Sequence, residues 1–189
     1  VFFNLREDEK SALESWRNAH PEVEIDVYTE ELSSANKHLL EGKQGVVLAQ
    51  NKPFESDVYE YAHEQGIKVF ATRSAGFDIY DLELMNKYGI KMTNVPSYSP
   101  NAIAEHVLTT ALRISRNTNK IQRNLERHNF SWNPGILSRE LRTLTVGVIG
   151  TGRIGTQAAR LFNALGSKVL GYDVYKNEAA KEVLTYVEN

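Results

Sequence analysis

The run Thr145-Val146-Gly147-Val148-Ile149 is apolar and rich in β-branched residues. It passes directly into Gly150-Thr151-Gly152-Arg153-Ile154-Gly155 and then a stretch with helical spacing through Ala158, Ala159, Leu161, Phe162 and Leu165. Strand, glycine turn and helix in immediate succession leave few folds open. Gly150 permits the tight turn, Gly152 lets backbone approach a pyrophosphate, and Gly155 lets helix and strand pack closely. Amides left unpaired at the helix start face the phosphates, with the positive end of the helix dipole behind them. Lys168-Val169-Leu170-Gly171-Tyr172-Asp173 then reads as a second strand ending in an acid 23 residues beyond Gly150. An acid at that point accepts hydrogen bonds from ribose hydroxyls and repels a 2'-phosphate, which favours NAD over NADP. Lys176 is near enough in sequence to leave NADP open.

Composition narrows the class further. The chain has 189 residues, 24% charged and 41% hydrophobic, ordinary values for a globular protein of one large or two small domains. It holds no cysteine, which excludes disulfides and thiolate metal sites and suits the cytoplasm. No apolar run approaches the roughly 18 residues of a membrane span, so no membrane partner is expected. Residues 112–143 carry 7 basic and 2 acidic side chains, which raises nucleic acid as a partner. Arg113, Arg116, Lys120, Arg123 and Arg127 recur every three or four residues beside Ile114, Ile121 and Leu125, however, and that spacing is the solvated face of an amphipathic helix. No nucleic-acid partner is expected.

The first part of the chain alternates β-rich runs with helical stretches. The runs are Phe2–Leu5, Val23–Tyr28, Gly45–Ala49, Ile67–Ala71 and Lys91–Asn94. Gly66 and Gly89 stand where helices end in left-handed caps before strands begin. Such alternation implies a parallel sheet with right-handed crossovers. The expectation is α/β, with a flavodoxin-like doubly wound domain over residues 1–97. Asn94-Val95-Pro96-Ser97-Tyr98-Ser99-Pro100 reads as a stiff link, with Ser99 and Pro100 opening a helix. That helix is expected from about residue 100 to 127, with a break near Asn117-Thr118-Asn119. Residues 98–189 then comprise this linking helix and the first half of a Rossmann domain.

These residues resemble the D-isomer-specific 2-hydroxyacid dehydrogenases, and among them the D-lactate and D-2-hydroxyisocaproate enzymes of lactic acid bacteria. The resemblance rests on Arg73-Ser74-Ala75-Gly76-Phe77-Asp78, on Asn94 through His106, and on Thr145 through Gly155. It implies that residues 1–97 bind substrate and residues 98–189 bind NAD. It also implies that the amides of Ala75 and Gly76 hold the substrate carboxylate, that the Tyr98 ring lines the same pocket, and that Arg153 and Ile154 touch the cofactor alongside Gly150, Gly152, Gly155 and Asp173. The implied reaction interconverts a small D-2-hydroxy acid and its 2-keto acid, with D-lactate and pyruvate as the expected pair, in a homodimer. Leu48 stands where lactate enzymes commonly place tyrosine, which implies tolerance of larger apolar 2-keto acids.

The resemblance also implies a catalytic Arg, Glu and His, all three expected beyond residue 189, so no catalytic residue is assigned. Only 39 residues follow Gly150, whereas each βαβ half of a dinucleotide domain takes roughly 30 or more. The chain is therefore expected to be an inactive, truncated piece with an uncovered sheet edge beside Thr145–Ile149. His106 adjoins Glu105, but sequence neighbours on a helix do not face each other, and no metal spacing occurs among the histidines. Two other readings are a non-enzymatic, NAD-binding regulatory relative of the corepressor kind, and a methyltransferase, against which the Gly150–Gly155 spacing argues.

Overall fold

A computed structural model describes residues 1–188, which form two compact units divided between Tyr98 and Ser99. In the first unit, β1 (Gly45–Leu48), β2 (Val69–Thr72) and β3 (Lys91–Thr93) make a parallel sheet in that order. The helices α2 (Ser56–Glu64) and α3 (Leu82–Lys87) supply the crossovers. Gly66 and Gly89 follow these helices with φ of 77° and 67°, a conformation that a side chain would strain.

Two expected strands are not regular strands. Phe2–Leu5 and Val23–Tyr28 contribute single parallel bridges, Phe2 to Val27 and Phe2 to Val47. Asn4 is the local reason, since its φ of 54° takes the chain out of the extended conformation. Main-chain bonds still seat both segments: Phe3 N–H donates to Val47 O and Tyr28 N–H to Phe2 O, each at 2.9 Å. Across the sheet the order is Val27, Phe2, β1, β2, β3. In chain order that is 2-1-3-4-5, the flavodoxin-like arrangement.

Alternation along β1 sends Val46 and Leu48 into a core with Phe3, Leu40, Val58, Tyr59, Ile67, Phe70 and Met85. Val47 faces the opposite side, where α1 (Lys10–Ala19) brings Leu13 and Trp16 to a cavity of about 350 Å³ shared with Phe2 and Ile25. Leu48 is fully buried. It is a core residue and not part of an open pocket edge, so the expectation of wider substrate tolerance drawn from it loses its basis.

In the second unit, β4 (Thr145–Ile149), β5 (Lys168–Tyr172) and β6 (Thr185–Tyr186) are parallel in that order. The helix α6 (Arg153–Ala164) crosses from β4 to β5 and buries Thr156, Ala159 and Phe162, a spacing of three that lines one helical face. The expected long helix is two, α4 (Pro100–Ser115) and α5 (Thr118–Glu126), broken at Asn117 with φ 53°. Ser99 Oγ accepts from Ala102 N–H at 3.4 Å as the N-cap of α4. Leu108 and Ala111 of α4 pack on the core of Ala159, Phe162, Val169, Ala180 and Leu184. Among the described residues β4 pairs only with β5, and Ile149 at its end is 88% exposed. No helix among them is long and apolar enough to cross a membrane.

Candidate functional site

Each unit carries one candidate region at the carboxyl end of its sheet, where open α/β folds bind ligands. In the first unit the region is the turn after β2. Three successive carbonyls of that turn are tied back: Val95 N–H donates to Ser74 O at 3.0 Å, Asn94 Nδ2 to Ala75 O at 2.8 Å, and Ser74 Oγ to Gly76 O at 2.7 Å. The Ala75 and Gly76 amides donate to no acceptor among the described residues, and both residues are exposed. Bonded carbonyls beside free, exposed N–H groups suit an anion.

The turn is braced from below by a directed row of hydroxyls. Tyr80 Oη donates to Thr72 Oγ1 at 3.2 Å, and Thr72 Oγ1 lies 2.8 Å from Ser74 Oγ. Ser74 spends its single proton on Gly76 O, so Thr72 donates to Ser74 and Tyr80 to Thr72. Burial pushes the Tyr80 hydroxyl above its ordinary value, which keeps it a donor. On the other side Arg73 donates to Phe3 O at 3.0 Å and Asn4 O at 2.6 Å and grips the Glu9 carboxylate. Neither brace was legible in the sequence. Arg73 and Ser74 stand in the motif, but their partners are up to 70 residues away along the chain. Tyr98, four residues past Asn94, is 78% exposed and makes no hydrogen bond among the described residues.

In the second unit the region is the turn from β4 to α6. Gly150 has φ 88° and donates to Tyr172 O at 2.9 Å. A Cβ on Gly155 would lie 1.9 Å from Gly150 O, so only glycine fits there, whereas a Cβ on Gly152 would meet nothing within 4 Å. Gly152 is the N-cap of α6 and offers no side chain to the first helical amides, which lack intrahelical partners by geometry. Arg153 and Ile154 open the helix and are exposed, Ile154 at 42%, and Arg153 forms no salt bridge among the described residues. The open approach at Gly152 together with these uncapped amides fits a pyrophosphate.

Asp173, at the end of β5, is tied to the same turn. Its Oδ2 accepts from Thr151 N–H at 2.6 Å and Thr151 Oγ1 at 3.2 Å, and its Oδ1 accepts from Tyr175 N–H at 3.0 Å. The Thr151 amide, and then that of Tyr175, hold the carboxyl below its ordinary value against a smaller desolvation effect. It stays an ionised acceptor, as hydroxyl donors require. The Thr151 hydroxyl also meets Tyr186 Oη at 2.5 Å; Tyr186 lies on β6, a two-residue strand too short for the sequence pattern to disclose. His106 and Glu105 are both exposed on α4, and no metal-ligating cluster exists among the described residues.

Known proteins with the same organisation cover the full chain. A D-lactate dehydrogenase of Treponema pallidum (strain Nichols) is 50% identical over 187 residues, which is 99% of this chain and 56% of the relative. A crystal structure of a D-lactate dehydrogenase from Treponema pallidum superposes with a TM-score of 0.85 at 49% identity, over 100% of this chain and 57% of that one. The D-lactate dehydrogenase of Aquifex aeolicus, solved with NAD and lactic acid, gives a TM-score of 0.86 at 32% identity, over 98% of this chain and 55% of that one. The chain thus spans little more than half the length of these relatives. Residues 1–188 match the catalytic domain of the D-isomer specific 2-hydroxyacid dehydrogenases, and the chain belongs to that family.

Proposed function

We propose that the whole protein is an NAD-dependent oxidoreductase that interconverts D-lactate and pyruvate, or a near relative of that pair. The observation that carries this reading is the turn at Ala75 and Gly76, with its carbonyls bound internally and its amides free. Residues 1–97 hold the substrate and residues 98–189 the cofactor. The Ala75 and Gly76 amides fix the acid's carboxylate, and Tyr98 borders the same pocket. Gly150, Gly152, Arg153, Ile154 and Gly155 take the pyrophosphate, and Asp173 takes the ribose hydroxyls. The nicotinamide supplies a hydride acceptor or donor for C2 of the acid. What this chain contributes is orientation, since two fixed partners turn a chance encounter into an aligned transfer. None of its residues is assigned the proton transfer.

The exposed Ile114, Leu125, Phe130, Trp132 and Leu137 of the second unit are apolar surface that the whole protein would cover, and a homodimer built on that unit is one way to cover it. The cysteine-free composition supports a reducing compartment, the cytoplasm. The reading is tested by following NADH absorbance with pyruvate and each lactate enantiomer. D-lactate oxidation without L-lactate oxidation supports it, and equal use of NADH and NADPH, or no turnover of any 2-keto acid by the whole protein, refutes it.

A further inference from the structure

The Thr151 hydroxyl has two partners within reach, Asp173 Oδ2 and Tyr186 Oη. Asp173 is ionised and can only accept, so at 3.2 Å Thr151 is the donor. Tyr186 Oη can donate to Asn177 O at 3.3 Å or across the 2.5 Å contact to Thr151 Oγ1; the much shorter contact takes its proton, which leaves the Thr151 proton for Asp173. Tyr186 Oη in turn accepts from the Asn177 amide at 2.8 Å. The result is a directed row from Asn177 N–H through Tyr186 and Thr151 to Asp173. Asn177 Nδ2 steadies it by donating to Thr151 O and Thr156 Oγ1, both at 3.1 Å. Thr151 is fully buried, and a Cβ on Gly171 would lie 2.7 Å from Leu184 Cδ1 and 3.2 Å from the Thr151 methyl, so a glycine there leaves Thr151 its place.

Tyr186 also engages a cation. The ammonium of Lys176 sits over its ring, 5.8 Å from the centroid. Lys176 follows Asp173 by three residues and is the charge that would welcome a 2'-phosphate beside that carboxylate.

We propose that Tyr186 is a specificity-determining residue for the dinucleotide, directing the Thr151 hydroxyl onto Asp173 and holding Lys176 away from the 2' position. This rests on the assignment of NAD to the second unit. The row keeps Asp173 charged and fixed for ribose hydroxyls, and the ring contact keeps the nearest lysine from neutralising it. Tyr186 touches no cofactor atom in this role and acts through its two neighbours.

The test measures NADH and NADPH dissociation constants by fluorescence titration of the whole protein, with the Asp173 carboxyl followed by carbon NMR. Tyr186→Phe keeps the ring and loses the row: the Asp173 titration moves up, and NADH binding weakens about fivefold, the size of one hydrogen bond. Tyr186→Leu loses both contacts and lowers the NADH preference by a further two- to fivefold, the size of an exposed cation–π contact. Adding Lys176→Ala to Tyr186→Leu restores that second portion only. An unchanged preference in folded Tyr186→Leu overturns the proposal, as does an unmoved Asp173 titration in Tyr186→Phe, which keeps the test open if the leucine variant does not fold. Absence of binding of either dinucleotide to the unsubstituted protein overturns the NAD assignment itself and the proposal with it.

Discussion

Arg73 and Glu9 meet as a fork, Nε to Oε1 at 3.0 Å and Nη2 to Oε2 at 2.9 Å, with side chains only 16% and 18% exposed. The guanidinium also lies 4.1 Å above the Phe2 ring centroid. One side chain thus joins the start of α1, the first sheet segment and the turn proposed to hold the substrate carboxylate. Removing Arg73 leaves the largely buried Glu9 only its contacts with the more exposed Arg6, 3.2 Å away, so the cost should approach but not exceed the about 3–5 kcal/mol typical of breaking a buried pair. Arg73→Met should therefore lower the urea midpoint markedly. Arg73→Lys should recover part of it, since a lysine keeps the charge but cannot reproduce the fork. Equal midpoints for Arg73→Met and the unsubstituted chain would show that the pair contributes nothing.

The same pair sets an acid limit. Burial by itself would raise the Glu9 carboxyl, but the Arg73 hydrogen bonds, the Arg6 amide and both guanidinium charges outweigh it and hold the group below its ordinary value of 4.5. A carboxyl depressed on folding adds stability above its unfolded value and loses it as pH falls through the folded one. The melting-temperature gap between the unsubstituted chain and Glu9→Gln should be full at neutral pH and close progressively below about pH 4.5. A gap that stays constant into acid would place the effect elsewhere.

Three glycines should separate by what surrounds them. Gly76 and Gly152 have open space where a Cβ would go, so Gly76→Ala and Gly152→Ala should leave the melting temperature nearly unchanged. The first should raise the pyruvate KM and the second should weaken NADH binding, each about tenfold or more, because the added methyl occupies ligand space. At Gly155 the methyl meets the Gly150 carbonyl oxygen. Gly155→Ala should destabilise by about 1–3 kcal/mol, the usual range for overpacking, and weaken NADH binding as well. A stable Gly155→Ala with full NADH affinity contradicts the close approach.

Asp173 and Tyr98 should divide the two ligands between them. Asp173→Ala is expected to raise the NADH dissociation constant by about tenfold or more and to relax discrimination against NADPH. Tyr98→Ala should change the dependence on the keto acid while leaving NADH affinity within about threefold, less than one tenfold step. Since Tyr98 is 78% exposed, a kinetic change cannot be ascribed to unfolding, which circular dichroism checks directly. A large loss of NADH binding in Tyr98→Ala with an unchanged pyruvate KM would assign the ring to the other ligand.

Features whose cause is local can be read along the chain. A glycine run between an apolar strand and an amphipathic helix dictates the turn at Gly150–Gly155, and Gly66 and Gly89 dictate the chain reversals before β2 and β3, because backbone conformation follows from the residue that adopts it. Features that depend on partners far along the chain arise only when it folds. Phe2–Leu5 has strand composition, yet Asn4 takes a left-handed conformation there, its main-chain carbonyl held by Arg73. Leu48 looked like a pocket residue by position and is core, because strand alternation turns it toward Tyr59 and Phe70. The Tyr80–Thr72–Ser74 row and the Tyr186–Thr151–Asp173 row share one physical reason for being illegible. A hydroxyl's role is fixed by which single acceptor its proton reaches, and only the folded chain brings that acceptor within 3 Å or so.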